Sequence, residues 1–179
     1  QGVYTTLPKI VAEEMDADWD SVQVRLATAN PAYGNPAKEG RQSTGNSDAT
    51  QGYYDLLRRT GAVAKDMLMR AAADRLNVPV SELRGKNSII THEKSGSRVN
   101  FGDVAEAAAS LQPIDEPVLK NRDDFVLLGQ AVRRKDSPQK VDGSAVYGAD
   151  KALPGKLFAA LRTSPVYGGE IISDSRDDA

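Results

Sequence analysis

Gln42-Ser43-Thr44-Gly45-Asn46-Ser47-Asp48-Ala49-Thr50 runs straight into a stretch of helical periodicity that begins near Gly52 and reaches Leu76. The residues from Ser43 to Ser47 are small or hydroxyl-bearing, so their main-chain N–H groups can come close to a ligand. Directly behind them stands a helix whose aligned peptide dipoles leave its first turn electropositive. Small residues feeding a helix N-terminus suit a phosphate. An ordinary N-cap at Ser47 or Asp48 is the commoner meaning of such a stretch, and these residues alone do not displace it.

Along the helix itself Tyr54, Leu57, Gly61, Ala64, Leu68, Ala71 and Arg75 recur at spacings of three and four and define one face. The middle of that face is Gly61 and Ala64, which lets another backbone pack very close. A glycine costs up to about 1 kcal/mol against alanine inside a helix, and close packing is the return. A plain amphipathic core helix accounts for the spacing as well.

The rest of the chain bounds the possibilities. It has 179 residues, 40% hydrophobic and 27% charged, with a formal net charge of -2. That is enough for one domain or somewhat more, with a workable core. Near-neutral charge without a basic run argues against nucleic acid as a partner. No apolar stretch approaches the roughly 20 residues that cross a bilayer. No signal peptide is present, but the first residue is Gln1 rather than Met, so the sequence leaves localisation undecided between cytoplasm and periplasm. With no cysteine there is no disulfide, thiolate metal site or iron–sulfur ligation in this segment. The single histidine, His92, falls in Ile89-Ile90-Thr91-His92-Glu93-Lys94-Ser95-Gly96-Ser97, a short strand and turn. A triad is possible in principle, but a solvated surface histidine is the expected reading.

Leu7, Ile10, Val11 and Met15 lie at helical spacing, with Pro8 expected in the first turn, where its missing donor costs nothing. Glu13 and Glu14 read as the solvated face of that helix. Ser21 to Ala27 alternates Val22, Val24 and Leu26 with polar residues, predicting a half-buried strand. Asn30 to Arg41 carries Pro31, Gly34, Pro36 and Gly40 and predicts a loop. Asn77-Val78-Pro79 ends the central helix, and Ser81 to Gly85 suggests one more helical turn. Ile89 to Thr91 and Arg98-Val99 predict a hairpin around Lys94-Ser95-Gly96. Asn100 with Asp103 three residues on forms a capping box for a helix through Leu111. Composition turns linker-like from Gln112 to Glu116, so a boundary is expected near Pro117. Short strands are expected at Phe125–Leu128 and, buried, at Leu157–Leu161, with another opening at Ile171-Ile172. Both ends read as cut, so the chain is expected to be a fragment.

Three stretches taken together carry a resemblance. They are Gln1-Gly2-Val3-Tyr4-Thr5-Thr6 leading to Ile10-Val11-Ala12-Glu13-Glu14-Met15, Ser43-Thr44-Gly45-Asn46-Ser47 leading to Tyr53 through Ala62, and Arg133 through Asp150 running on from Leu153 to Gly169. In this order they resemble the molybdenum-binding large subunit of the xanthine dehydrogenase and aldehyde oxidase family, in the branch of the isoquinoline 1-oxidoreductase beta subunits. The resemblance implies an α/β (α+β) fold. Residues 1–116 would form part of a molybdopterin-binding domain, with helices packed on a small sheet. Residues 117–179 would form a linker and the start of an α/β hammerhead domain. It implies molybdopterin, expected in its cytosine dinucleotide form, and a small iron–sulfur subunit as partner. Family members hydroxylate a heteroaromatic or aldehyde C–H bond of a small-molecule substrate with oxygen from water. Matched residue by residue, the family's Gly-Gln-Gly turn falls on Gln1 and Gly2, and its Thr-Gly-Gly-Ser loop on Thr44, Gly45, Asn46 and Ser47. These are the expected cofactor-binding residues. Asn46 replaces a glycine, and asparagine tolerates a left-handed backbone better than other residues. The family's glutamate base lies in a glycine-rich motif that this chain lacks. The resemblance therefore assigns it no catalytic residue and no metal ligand, and the isolated piece is expected to be inactive, cofactor-free and prone to self-association. A non-catalytic α/β binding or scaffold module that keeps the fold without the cofactor is the alternative.

Overall fold

A computed structural model describes residues 2–173; Gln1, the first of the expected cofactor-binding residues, lies outside the described residues. The chain divides into two compact units, residues 1–143 and 144–179. Where composition suggested a boundary near Pro117, the main chain instead continues across the first unit.

Helix α1 (Val3–Met15) begins earlier than Pro8 alone suggests, because the amides of Thr5 and Thr6 both reach the Gly2 carbonyl, at 2.9 and 3.0 Å. Pro8 therefore sits inside the helix, not in its first turn. Helix α2 (Ala49–Leu76) is the long element, about 42 Å at 1.5 Å per residue. The two run parallel. Thr6 meets Thr50 near both starts, Val11 meets Gly61 midway, and Asp16, just past α1, pairs with Lys65. A Cβ added at Gly61 would lie 2.8 Å from the Val11 carbonyl oxygen and 3.0 Å from the Glu14 Cβ. The close approach expected of Gly61 is present.

Beyond α2 the chain forms an antiparallel sheet, β1 (Leu83–Lys86), β2 (Ile89–His92) and β3 (Arg98–Asn100), in sequence order. The expected hairpin of β2 and β3 is there. The helical turn expected from Ser81 to Gly85 shrinks to a 3-10 turn at Val80–Glu82, because Leu83 onward pairs with β2. Asn87 and Ser88 supply the two-residue turn between β1 and β2, both with positive φ. Helix α3 (Phe101–Ala109) starts with the Asn100–Asp103 capping box. Leu68, Ala72, Leu83, Ile90, Val99 and Val104 close the apolar core at the C-terminal half of α2.

Several expected strands are absent among the described residues. Residues 22–28 find no ladder partner, and Leu26 is 80% exposed. Phe125–Leu128 is not a strand either, because its amides are spent on a carboxylate. Glu13, read above as solvated, is fully buried, and its Oε2 accepts from the amides of Val126, Leu127 and Leu128 at 3.0, 2.6 and 2.8 Å. Glu14 is buried as well, accepting from Arg58 Nε at 2.6 Å and from the Lys120 amide at 3.0 Å. The polar stripe of α1 is thus covered by returning chain rather than by water. In the second unit, residues 144–173 hold one 3-10 turn at Gly148–Asp150. Leu157, Phe158, Leu161, Ile171 and Ile172 are exposed rather than built into strands, since a strand needs a partner and none is present among the described residues. The architecture is α+β, helices on a small three-stranded sheet, with no hammerhead domain formed among the described residues.

Two outcomes follow from this packing. Gly61→Leu drives a side chain into the α1 main chain and should destabilise the first unit by about 3 kcal/mol or more, whereas Gly61→Ala, which gains helix propensity, should cost about 1–2; urea unfolding followed by circular dichroism measures both. Burial pushes the Glu13 carboxyl up, but the Lys120 ammonium and the three amides outweigh it and hold it below its ordinary value of 4.5. A depressed carboxyl contributes its stability in full above that ordinary value and loses it as pH falls through the lower folded value. Glu13→Gln should therefore cost about 3 kcal/mol near pH 7, and progressively less as the pH falls below the ordinary value of 4.5, in unfolding curves run across pH.

Candidate functional site

The parallel pairing of α1 and α2 sets their N-terminal ends side by side. Each carries about half a positive charge from its dipole, so the pair repels itself and favours an anion there. Neither helix has a side chain bonded to its first-turn amides. Gly2, with φ 75, precedes α1. Its carbonyl accepts from Thr6 Oγ1 at 3.3 Å, and that hydroxyl lies 3.4 Å from Thr50 Oγ1 in the first turn of α2. Gly2 and the first turn of α2 are thus linked through two threonines.

That loop is a tight turn. The Asp48 amide reaches the Gly45 carbonyl at 3.3 Å, with Asn46 at φ 55 and Ser47 at φ 56 between them. Two successive left-handed residues make this a type I′ turn. The replacement of glycine by Asn46 keeps the left-handed backbone, as asparagine's tolerance predicts. Thr44, Asn46 and Ser47 are exposed, Gly45 partly so.

The loop expected from Asn30 to Arg41 supports this turn, and what sequence reasoning missed is the part that Asn35 plays in it. The Asn35 amide and the Arg41 carbonyl form a bridge, 3.0 Å apart, and Asn35 Oδ1 accepts from the Ala37 amide at 2.9 Å. Asn35 is fully buried and packs on Gly52, where any Cβ would collide with its side-chain oxygen. Its Nδ2 has no hydrogen-bond partner, and neither has the buried Oδ1 of Asp48. Lys38 Nζ neutralises the other Asp48 oxygen at 2.6 Å. The uncapped helix amides suit an anionic group, while the unpartnered Oδ1 of Asp48 calls for a donor rather than an anion. The signal for Asn35 was the Asn-Pro pair at Asn35-Pro36, a turn initiator.

His92 departs from its expected solvated state. It is 7% exposed, with Nδ1 2.7 Å from Ser95 Oγ and Nε2 2.8 Å from Glu82 Oε2. Lys94, then His92, hold the Glu82 carboxyl below its ordinary value. Ser95 Oγ also donates to Ser97 Oγ at 2.9 Å and accepts from the Ser97 amide at 3.3 Å, so this cluster ties off the β2–β3 turn. Among the described residues no group of three or more His, Cys, Asp or Glu is gathered to hold a metal ion. No described helix is long and apolar enough to cross a membrane.

No protein-family model matches the chain. Similarity to individual proteins is nevertheless extensive. The chain is 36% identical, over 94% of its length, to the isoquinoline 1-oxidoreductase beta subunit of Brevundimonas diminuta, spanning 26% of that protein. It is 29% identical over 97% of its length to one of the subunits of nicotinate dehydrogenase in Pseudomonas putida, spanning 14% of it. It is 27% identical, again over 97% of its length, to the membrane-bound aldehyde dehydrogenase [pyrroloquinoline-quinone] of Gluconacetobacter polyoxogenes, spanning 22%. The chain thus covers about a quarter or less of these relatives, and along nearly all of its own length it is related to one segment of proteins named as oxidoreductases.

Proposed function

We propose that this chain is part of the large subunit of a molybdenum hydroxylase of the xanthine dehydrogenase and aldehyde oxidase family, similar to isoquinoline 1-oxidoreductase. In the whole protein it contributes one wall of the molybdopterin site. The observation that carries this reading is the pairing of two uncapped, parallel helix starts. One is preceded by Gly2 and the other by Thr44, Gly45, Asn46 and Ser47. Gln1, Gly2 and Thr44–Ser47 hold the anionic tail of the cofactor, in its cytosine dinucleotide form, through amides and hydroxyls. Asn35 and Lys38 keep the second turn in place from behind. When bound, the cofactor supplies the chemistry that moves oxygen from water to a C–H carbon and takes up two electrons.

The substrate class follows the relatives' names: isoquinoline and nicotinate are heteroaromatic, and the third name is that of an aldehyde dehydrogenase. A small iron–sulfur subunit is the proposed electron-accepting partner. This chain contributes no catalytic base. A second cofactor is favoured by one observation, the pyrroloquinoline quinone in the name of the Gluconacetobacter relative, an anion that the same donors would also suit. The apolar residues exposed in the second unit are proposed to pack on further chain in the whole protein, and to drive self-association of the segment on its own.

In the whole protein, the double change Thr44→Val and Ser47→Ala should lower the molybdenum content of the purified enzyme about tenfold or more, read by elemental analysis after desalting. Unchanged molybdenum would sink the site, and a quinone in place of molybdenum would favour the second cofactor. A natural enzyme free of both would favour a scaffold module. The segment by itself should take up no cofactor in equilibrium dialysis, because one wall alone leaves most of the ligand in water; light scattering should show it associating as concentration rises.

A further inference from the structure

After α3 the main chain returns along α2 and then α1 from Gln112 to Asp136, with Ile114, Leu119, Phe125, Leu127, Leu128 and Val132 half-buried along the way. No side chain from 112 to 135 is fully buried; Val118 is 93% and Val126 65% exposed. What the two helices grip instead is the main chain. Arg70, Arg59 and Arg58 donate to the carbonyls of Gln112, Asp115 and Lys120 at 2.7, 2.6 and 2.6 Å. Glu14 takes the Lys120 amide, and Glu13 takes those of Val126, Leu127 and Leu128. Lys9 Nζ donates to the Gln130 carbonyl at 2.7 Å, and Thr5 Oγ1 accepts from the Lys135 amide at 3.0 Å. Side chains of the segment add to this grip, and Lys135 Nζ donates to the Trp19 carbonyl at 2.5 Å and lies over the Trp19 ring. Lys120 Nζ reaches Glu13 at 2.8 Å and Asp16 at 2.5 Å, and the Phe125 ring lies under Arg58.

Recognition of this kind is directional and polar, and it differs in nature from the apolar core at the other half of α2. Polar contacts of this sort can open locally while a hydrophobic core stays closed. Their weight is uneven. Three consecutive amides converge on one buried carboxylate oxygen, and neutralising it weakens all three at once.

We propose that residues 112–136 form a detachable strap, read through its main chain by α1 and α2 and latched by Glu13, which opens as one unit while the helix pair and the β-hairpin stay folded. The strap runs between α3 and the N-terminal end of α1. This does not depend on which cofactor, if any, the helix ends receive.

Amide hydrogen exchange on the full chain, read by mass spectrometry at neutral pH, tests it. In Glu13→Gln, peptides covering Val126–Leu128 and Lys135 should exchange about tenfold faster or more, while those covering β2 and β3 keep wild-type protection. Lys9→Met removes only the grip on Gln130 and leaves the carboxylate in place. If the strap is one unit, that variant should also speed exchange at 126–128 and at 135. Should Glu13→Gln fail to fold, Lys9→Met decides alone. The proposal is overturned if the strap amides exchange at the wild-type rate in both variants. It is overturned equally if protection falls in β2 and β3 to the same degree, or if the effect of Lys9→Met stays confined to residues beside Gln130.

Discussion

The contact between Gly61 and the Val11 carbonyl is the constraint on which the first unit depends. Only a residue without a Cβ lets the α1 main chain come that close to α2. Several consequences follow from geometry alone. The helices lie parallel with their starts level, because the pairs Thr6–Thr50 and Asp16–Lys65 flank the contact on either side. The end of α1 then falls beside the β1–β2 turn, where the Ser88 amide donates to the Asp16 carbonyl at 2.9 Å and Ser88 Oγ accepts from the Asp18 amide at 2.9 Å. One glycine thereby joins the helix pair to the sheet.

Parallel packing has an electrostatic cost that the fold leaves uncompensated. Adjacent helices in most small folds run antiparallel, and their dipoles partly cancel. Here two positive ends stand together, and neither is capped by a side chain. Asp48 is the acidic group nearest the start of α2, yet Lys38 neutralises it rather than leaving it to face the amides. The arrangement is poor for stability and suits an anion.

Much of this was legible locally. The Ser43–Ser47 turn and the Asn100 capping box act through near neighbours in sequence, and turn chemistry exposes them; Gly61 meets Val11 across the helix pair, yet a glycine within a helical face marks a close approach whatever its partner. What misled was the polar face. Glu13 lies toward the polar face of α1, where an amphipathic reading assigns water, whereas Glu14 follows Leu7, Ile10 and Val11 at helical spacing and stands on the apolar stripe itself, a readable sign of its burial. Their partners, Lys120 and Val126–Leu128, are more than 100 residues away, and nothing in the pattern of α1 announces them. His92 failed for the same reason on a shorter scale, since Glu82 comes to it only because β1 pairs with β2. The apolar residues at Val22–Leu26 and Leu157–Leu161 satisfy the local pattern of strands, but a strand is defined by its partner, and a single segment cannot say whether one exists.

The candidate site and the core sit at opposite ends of α2, and this separation explains why the two are built from different interactions. Near the sheet the helix buries Leu68 and Ala71–Ala73 against Leu83, Ile90, Val99 and Val104, which excludes water and fixes the fold. Near its start only Ala49 is buried, and Thr50, Gln51 and the residues from Thr44 to Ser47, apart from a partly covered Gly45, face outward. Rigidity there comes from Asn35, which ties the preceding loop with one amide, one carbonyl and one side-chain oxygen while touching α2 at Gly52. An end assembled this way stays open to solvent without unsettling the core, because its exposed groups contribute almost nothing to the apolar packing that holds the chain together.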